Sequence, residues 1–185
     1  MAPRTQYYAA TSIDGFIADD QHGLDWLTQF EFAQFQERYD RFIADVGAIV
    51  MGARSYEFIV GMGDDAWTYG DTPCWVMTHR EHSVPPGADV QFFAGDVRDV
   101  HRSAIEAASG SNVWLLGGGD VAAQFAQHGL IDELILTIVP VLLGSGKRLH
   151  PDVAVTTPLR LVDTHRFDNG AIELRYVSPD GQHSD

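Results

Sequence analysis

Apolar and polar positions repeat along the chain with two alternating periods. Residues 6–12 (Gln-Tyr-Tyr-Ala-Ala-Thr-Ser) read as a strand ending at the Asp14-Gly15 turn, and Phe16-Ile17-Ala18 resumes it. A loop carrying Asp19, Asp20, Gly23, Asp25 and Trp26 follows. Phe32, Phe35, Tyr39, Phe42 and Ile43 then recur at helical spacing, with Glu31, Gln36, Arg38 and Asp45 between them. That spacing predicts an amphipathic helix over 30–45. Ala48-Ile49-Val50-Met51, Cys74 to Thr78 and Val90 to Phe93 are short apolar strands. A helix over 97–109 places Val97, Val100, Ala104, Ile105 and Ala108 on one face, and Gly110 stops it.

Val113 to Leu116 is a buried strand running into Gly117-Gly118-Gly119, and a helix over 120–128 ends at Gly129. Leu134 to Leu143 reads as one long apolar strand broken by Gly144-Ser145-Gly146. Asn169-Gly170 between strand-like runs at 159–167 and 171–178 predicts an antiparallel hairpin. Strands interleaved with helices and closed by a hairpin predict an α/β fold, with a mostly parallel sheet and an antiparallel edge.

Composition narrows this picture. The 185 residues hold no repeat, low-complexity tract or linker, so a single domain over 1–185 is expected. With 45% hydrophobic and 21% charged residues, the chain is an ordinary globular one rather than a disordered one. No apolar run approaches the ~20 residues of a membrane span. No signal-peptide pattern opens the chain, so a cytoplasmic protein without membrane partners is expected. The net charge of −14 argues against nucleic acid, whose phosphates need a basic surface. Of the twelve basic residues only Lys147 is lysine, so clusters of arginine stand out and suit an anionic cofactor. Cys74, the one cysteine, sits in an apolar strand and is expected to be a core thiol. Among eight histidines only His79 and His82 are closely spaced, without a carboxylate or thiol partner, so no metal is expected.

The sharpest chemical feature is the strand, then Gly117-Gly118-Gly119-Asp120, then the helix. The first N–H groups of a helix are unpaired and lie at its positive end, so they bind phosphate, and glycine lets an anion approach closely. The segment also fits the Gly-x-Gly-x-x-Ala fingerprint of Rossmann dehydrogenases, which would favour NADH. That fingerprint needs an acidic residue about 20 positions on. Here the stretch is Thr137-Ile138-Val139-Pro140-Val141, with no acid. A second glycine-led turn, Gly52-Ala53-Arg54-Ser55, could open another helix and offers a guanidinium and a hydroxyl. Thr78-His79-Arg80 ends a third strand with similar groups.

Taken in order, these segments resemble the dihydrofolate reductase-like superfamily over nearly the whole chain. Ser12 to Ala18 resembles its first strand and loop, Met51-Gly52-Ala53-Arg54-Ser55-Tyr56-Glu57 its Met-Gly-Arg-x-Thr-x-Glu motif, and Leu116-Gly117-Gly118-Gly119 its Ile-Gly-Gly-Gly motif. Pro140-Val141-Leu142-Leu143-Gly144 with Gly146, and the Asn169-Gly170 hairpin, are similar to the riboflavin-biosynthesis reductase, the C-terminal half of the bifunctional deaminase-reductase. The resemblance implies a three-layer domain that uses NADPH to reduce a small pteridine- or pyrimidine-like metabolite. The model substrate is 5-amino-6-(5-phosphoribosylamino)uracil. By motif position, Gly117, Gly118, Gly119, Asp120 and Val121 would hold the pyrophosphate. Arg54, Ser55, Thr78, His79 and Arg80 would face the adenosine 2′-phosphate, and Gly52 and Leu116 would be further cofactor contacts. The family's cis peptide would fall at Gly117-Gly118 or Gly118-Gly119. Asp14 and Glu31 are the candidate catalytic carboxylates, although Asp14-Gly15 also serves a turn by itself. Asp25 and Trp26 are the candidate substrate contacts, with Trp26 as plain core the alternative. Leu115-Leu116 stands where the riboflavin branch carries a glutamate, which leaves the substrate open. The apolar 134–143 strand and the Phe-rich helix exceed what one face requires, and with the family's habit this implies a homodimer. The rival class is a non-catalytic nucleotide- or metabolite-binding protein on the same fold.

Overall fold

A computed structural model describes residues 3–151 and 158–179. Two strands, β1 (Thr5–Ser12) and β2 (Phe16–Ala18), lead into helices α1 (Asp25–Thr28) and α2 (Ala33–Ile43). Then come β3 (Val46–Gly52), α3 (Ala53–Gly61), β4 (Cys74–Met77), β5 (Val90–Phe93), α4 (Val97–Ala107), β6 (Asn112–Gly117) and α5 (Gly119–Gln127). The chain closes with β7 (Glu133–Val139), β8 (Lys147–Arg148), β9 (Arg160–Arg166) and β10 (Ile172–Val177).

Eight strands form one sheet in the order β5-β4-β3-β6-β1-β7-β10-β9. The first six in that order run parallel, and β10 lies antiparallel to both its neighbours. The sheet is therefore mostly parallel with an antiparallel hairpin at one edge. A two-stranded sheet of β2 and β8 sits apart.

Side-chain alternation sorts the core into layers. Tyr7, Ala48, Val50, Trp75, Val113 and Leu115 face Val97, Val100, Ala104 and Ala108 of α4 and Val121, Ala122 and Phe125 of α5. Ile49, Met51, Cys74, Val76 and Trp114 face the other way, against Tyr56 and Ile59 of α3 and Tyr39, Phe42 and Ile43 of α2. Cys74 is a core thiol, and burial pushes its pKa up to about 12.

Two expected elements differ. The 134–143 strand stops at Val139, because Pro140 has no N–H for the ladder and Val141 turns its own N–H back to the Val139 carbonyl at 2.8 Å. The expected 30–45 helix starts only at Ala33, and the loop before it contains the short α1, which buries Trp26. Trp26 packs with Val139, Phe167 and Ala171 as a third small core over the end of β7 and the β9–β10 turn.

The face under α2 carries charge where sequence patterning expects only core. Glu133, 1% exposed, accepts from Gln6 Nε2 at 2.5 Å and from Arg175 Nε and Nη2 at 2.5 and 2.9 Å. Buried Glu173 accepts from Arg38 Nε at 2.5 Å and from the Tyr8 hydroxyl at 2.9 Å, and Arg38 reaches on to Asp163 at 2.7 Å. A buried carboxylate survives because every partner is supplied, and removing one partner strands the other. Glu133→Ala should therefore cost about 3 kcal/mol of unfolding free energy, measured by denaturant titration. A loss within ~0.5 kcal/mol, as for a surface substitution, would contradict this account.

Candidate functional site

Because β1, β3, β4, β6 and β7 are parallel, their C-terminal ends share one edge of the sheet. Ligands of open α/β sheets bind beyond that edge. The helices that start there are not alike. At α4, Asp96 accepts from the Arg98 N–H at 2.8 Å and caps the helix. At α3 and α5 the capping positions are Gly52 and Gly118, and no side chain caps either helix. Two helix starts on neighbouring strands thus keep N–H groups for an outside anion.

The two starts touch. A Cβ on Gly52 would lie 3.1 Å from Val121 Cγ2 and 3.5 Å from the Gly118 nitrogen. Glycine is required at position 117 for another reason: its φ of 115° lies in the left-handed region, and the Gly117–Gly118 peptide is cis. The cis peptide implied by the family resemblance is therefore present, at the first of its two expected positions. Gly119 is pressed from behind, where a Cβ would collide with the Arg148 carbonyl. Gly118 is open by contrast, with only Ile17 Cδ1 and Ser55 Oγ near a Cβ position, both at 3.9 Å. This is a cradle that a side chain would fill, bordered by a hydroxyl and the amides of α5. Leu116 is half-buried behind it, Val121 is buried, and Asp120 projects to solvent.

The flanking cations meet at one carboxylate. Arg54 Nη1 lies 3.1 Å from Glu57 Oε2, and Arg80 Nη2 lies 3.9 Å from Glu57 Oε1. Thr78 Oγ1 accepts from the Arg80 N–H at 3.1 Å, and His79 is exposed beside it. Arg54 and Arg80 thus come from different strand ends to one carboxylate.

The candidate catalytic and substrate residues are placed differently. Asp14 accepts from the Ser12 hydroxyl at 2.6 Å and from the Leu143 and Gly144 amides at 3.1 and 2.7 Å. The Ser12 bond, then the Gly144 amide, holds its carboxyl down at about 2. It is an ionised acceptor that pins the 140–146 loop across the end of β1. Glu31 is exposed on the link between α1 and α2, and Asp25 is exposed at the start of α1. Trp26 lies in the third core cluster. The structure does not gather Asp14, Glu31 and Asp25 into one acid site.

Sequence reasoning passed over Glu57 as a site residue, although its i,i+3 spacing from Arg54 on a helix was the available signal. It also passed over Glu173, whose burial beside Tyr8 and Arg38 depends on a contact between helix α2 and strand β10 across 135 residues of chain. Two cavities of about 360 and 380 Å³ open at the opposite, N-terminal ends of the strands, lined by Arg4, Asp163 and Arg175 in common. Their arginines Arg38 and Arg175 are already neutralised by Glu173, Asp163 and Glu133. The open glycine cradle, bordered by helix starts that no side chain caps, is the stronger candidate for a nucleotide. Among the described residues no group of three or more His, Cys, Asp or Glu side chains is placed to hold a metal. No helix among them is long and apolar enough to cross a membrane.

Comparison with known proteins agrees with this architecture. Residues 3–172 match the model of the RibD C-terminal domain. The Bacillus subtilis (strain 168) protein YwjB, itself uncharacterized, is 33% identical over 177 residues, covering 96% of this chain and 99% of that protein. The crystal structure of a Shewanella sp. PV-4 protein provisionally assigned to riboflavin biosynthesis is similar at a TM-score of 0.80 and 23% identity, over 95% of this chain and 98% of that one. Dihydrofolate reductase from Enterococcus faecalis, complexed with NADP(H), is similar at a TM-score of 0.68 and 14% identity, over 96% of this chain and 97% of that one. The last two likenesses establish a dihydrofolate reductase-like fold.

The Asp14 clamp has a pH signature. A carboxyl depressed in the folded state contributes above the ordinary carboxylate range, and that contribution is lost as pH falls toward about 2. The Leu143 and Gly144 amide resonances should therefore titrate together, with a midpoint well below the ordinary value of about 4. A midpoint at the ordinary value would contradict the clamp.

Proposed function

The chain belongs to the RibD C-terminal domain family, and from that membership we propose that it is an NADPH-dependent reductase of a pteridine- or pyrimidine-like metabolite. The observation that carries this reading is the pair of touching, uncapped helix starts at Gly52 and Gly118, with Arg54 and Arg80 beside them. Bound NADPH would supply a hydride from its nicotinamide. The chain's own residues bind and orient it. The amides of Gly119, Asp120 and Val121 would face the pyrophosphate, and Ser55, Thr78, His79, Arg54 and Arg80 the adenosine 2′-phosphate. Asp14 ties the 140–146 loop to the end of β1. Hydride transfer needs little from a protein beyond orientation and a dry site.

The riboflavin-pathway substrate, an aminouracil ribityl- or ribosyl-phosphate, is the model for the reduced ring, and a cytoplasmic site of action goes with it. A second reading, nucleotide binding without catalysis, is favoured by one observation. Asp14 is held ionised by its hydrogen bonds, and Glu31 and Asp25 are exposed, so none of the three is placed as a proton donor.

We further propose a homodimer. Leu136, Ile138, Ile172 and Leu174 share the outer face of β7 and β10 with Leu161, which is 47% exposed, and none of them joins the three core clusters of the described residues. Light scattering should give twice the chain mass; a mass of one chain would overturn this proposal.

Incubation with NADPH and a panel of pterins, flavins and aminouracils should show loss of the reduced-nicotinamide absorbance. Tight NADPH binding without turnover would favour the second reading, and no NADPH binding would defeat both. Arg54→Ala and Arg80→Ala should each weaken NADPH binding about five- to tenfold while changing NADH binding less than about twofold. Equal losses for both nucleotides would contradict the assignment of these arginines to the 2′-phosphate.

A further inference from the structure

Within that cofactor reading, on which the following inference rests, we propose that Glu57 sets the choice between phosphorylated and unphosphorylated nucleotide. Glu57 lies between the two cations expected to meet the 2′-phosphate, 3.1 Å from Arg54 and 3.9 Å from Arg80, and His82 Nδ1 stands 4.0 Å away. Arg54 and Arg80 are each 71% exposed, whereas Glu57 is 29% exposed, so the carboxylate is the more fixed member of the group.

Two consequences follow from charge alone. A phosphate monoester carries about −1.5 to −2 at neutral pH, so at these arginines it competes with Glu57 and lies beside a like charge. A free ribose 2′-hydroxyl is a hydrogen-bond donor, and a carboxylate is the acceptor it needs. Glu57 therefore weakens NADPH and supports NADH at the same position. The site discriminates less sharply than two arginines alone would. Glu57 is a specificity-determining residue and takes no part in hydride transfer.

The test is equilibrium binding, with no turnover required. NADPH and NADH are titrated by nicotinamide fluorescence, and 2′,5′-ADP and 5′-AMP by calorimetry, against the full chain and Glu57→Gln. Exposed ion pairs are weak, so loss of two competing pairs should tighten NADPH and 2′,5′-ADP about three- to tenfold. NADH and 5′-AMP should bind no tighter, or more weakly. Glu57→Ala should give the same direction, which covers any misfolding of the first variant. An unchanged NADPH-to-NADH ratio in both variants, with wild-type NADPH binding intact, would overturn the role of Glu57 alone. Failure of the wild-type chain to bind either dinucleotide would overturn the cofactor reading and this inference with it.

Discussion

The arrangement depends on the close approach of two neighbouring strand ends. Gly52 at the end of β3 packs against Val121 and the Gly118 amide, with a would-be Cβ only 3.1 Å from the valine. A side chain at position 52 would crowd Val121, and α3 and α5 start side by side with no side chain capping their first amides. A cap from either chain segment would occupy the very donors that an anion needs. At the start of α4, by contrast, Asp96 occupies such a donor.

The rest of the C-terminal edge keeps that contact in place. Arg148 and Leu149 carbonyls press on Gly119, the Tyr7 hydroxyl donates to Leu149 at 3.3 Å, and the Leu149 amide donates to Gly15 at 3.0 Å. Asp14 ties the same region at the Leu143 and Gly144 amides. Its low pKa follows first from the Ser12 hydroxyl and then from the Gly144 amide, and marks a carboxylate used as an acceptor. The polar network of Glu133, Glu173, Arg38 and Arg175 stands at the other end of the strands. There each charge already has its partner, which is the condition for stability rather than for ligand capture.

Much of the fold was legible because its signals were local. Apolar runs ending in glycine located β3, β6 and their helices, and Asn169-Gly170 located the final hairpin. The end of β7 was missed because an apolar run continues through Pro140 to Leu143, and composition alone does not show that Pro140 and the Asp14 clamp turn it into a loop. The candidate site was legible in part for the same reason: the glycines and Arg54 lie in contiguous motifs. Glu57 lay in the same motif, yet its significance depends on Arg80, 23 positions on, reaching it across β4. Glu173 and Glu133 depend on pairings between distant strands and left no local trace. Asp25 and Glu31 kept their polar exposure, and with it the question of the proton donor.

The proposed dinucleotide site at the Gly52–Gly118 contact can be read out by titrating isotope-labelled protein with NADPH and following the backbone amides. The largest shifts should fall on residues 52–55, 78–80 and 117–121, with the amides of Arg4, Asp163 and Arg175 nearly unmoved. Shifts concentrated at Arg4, Asp163 and Arg175, with the glycine turns silent, would contradict it.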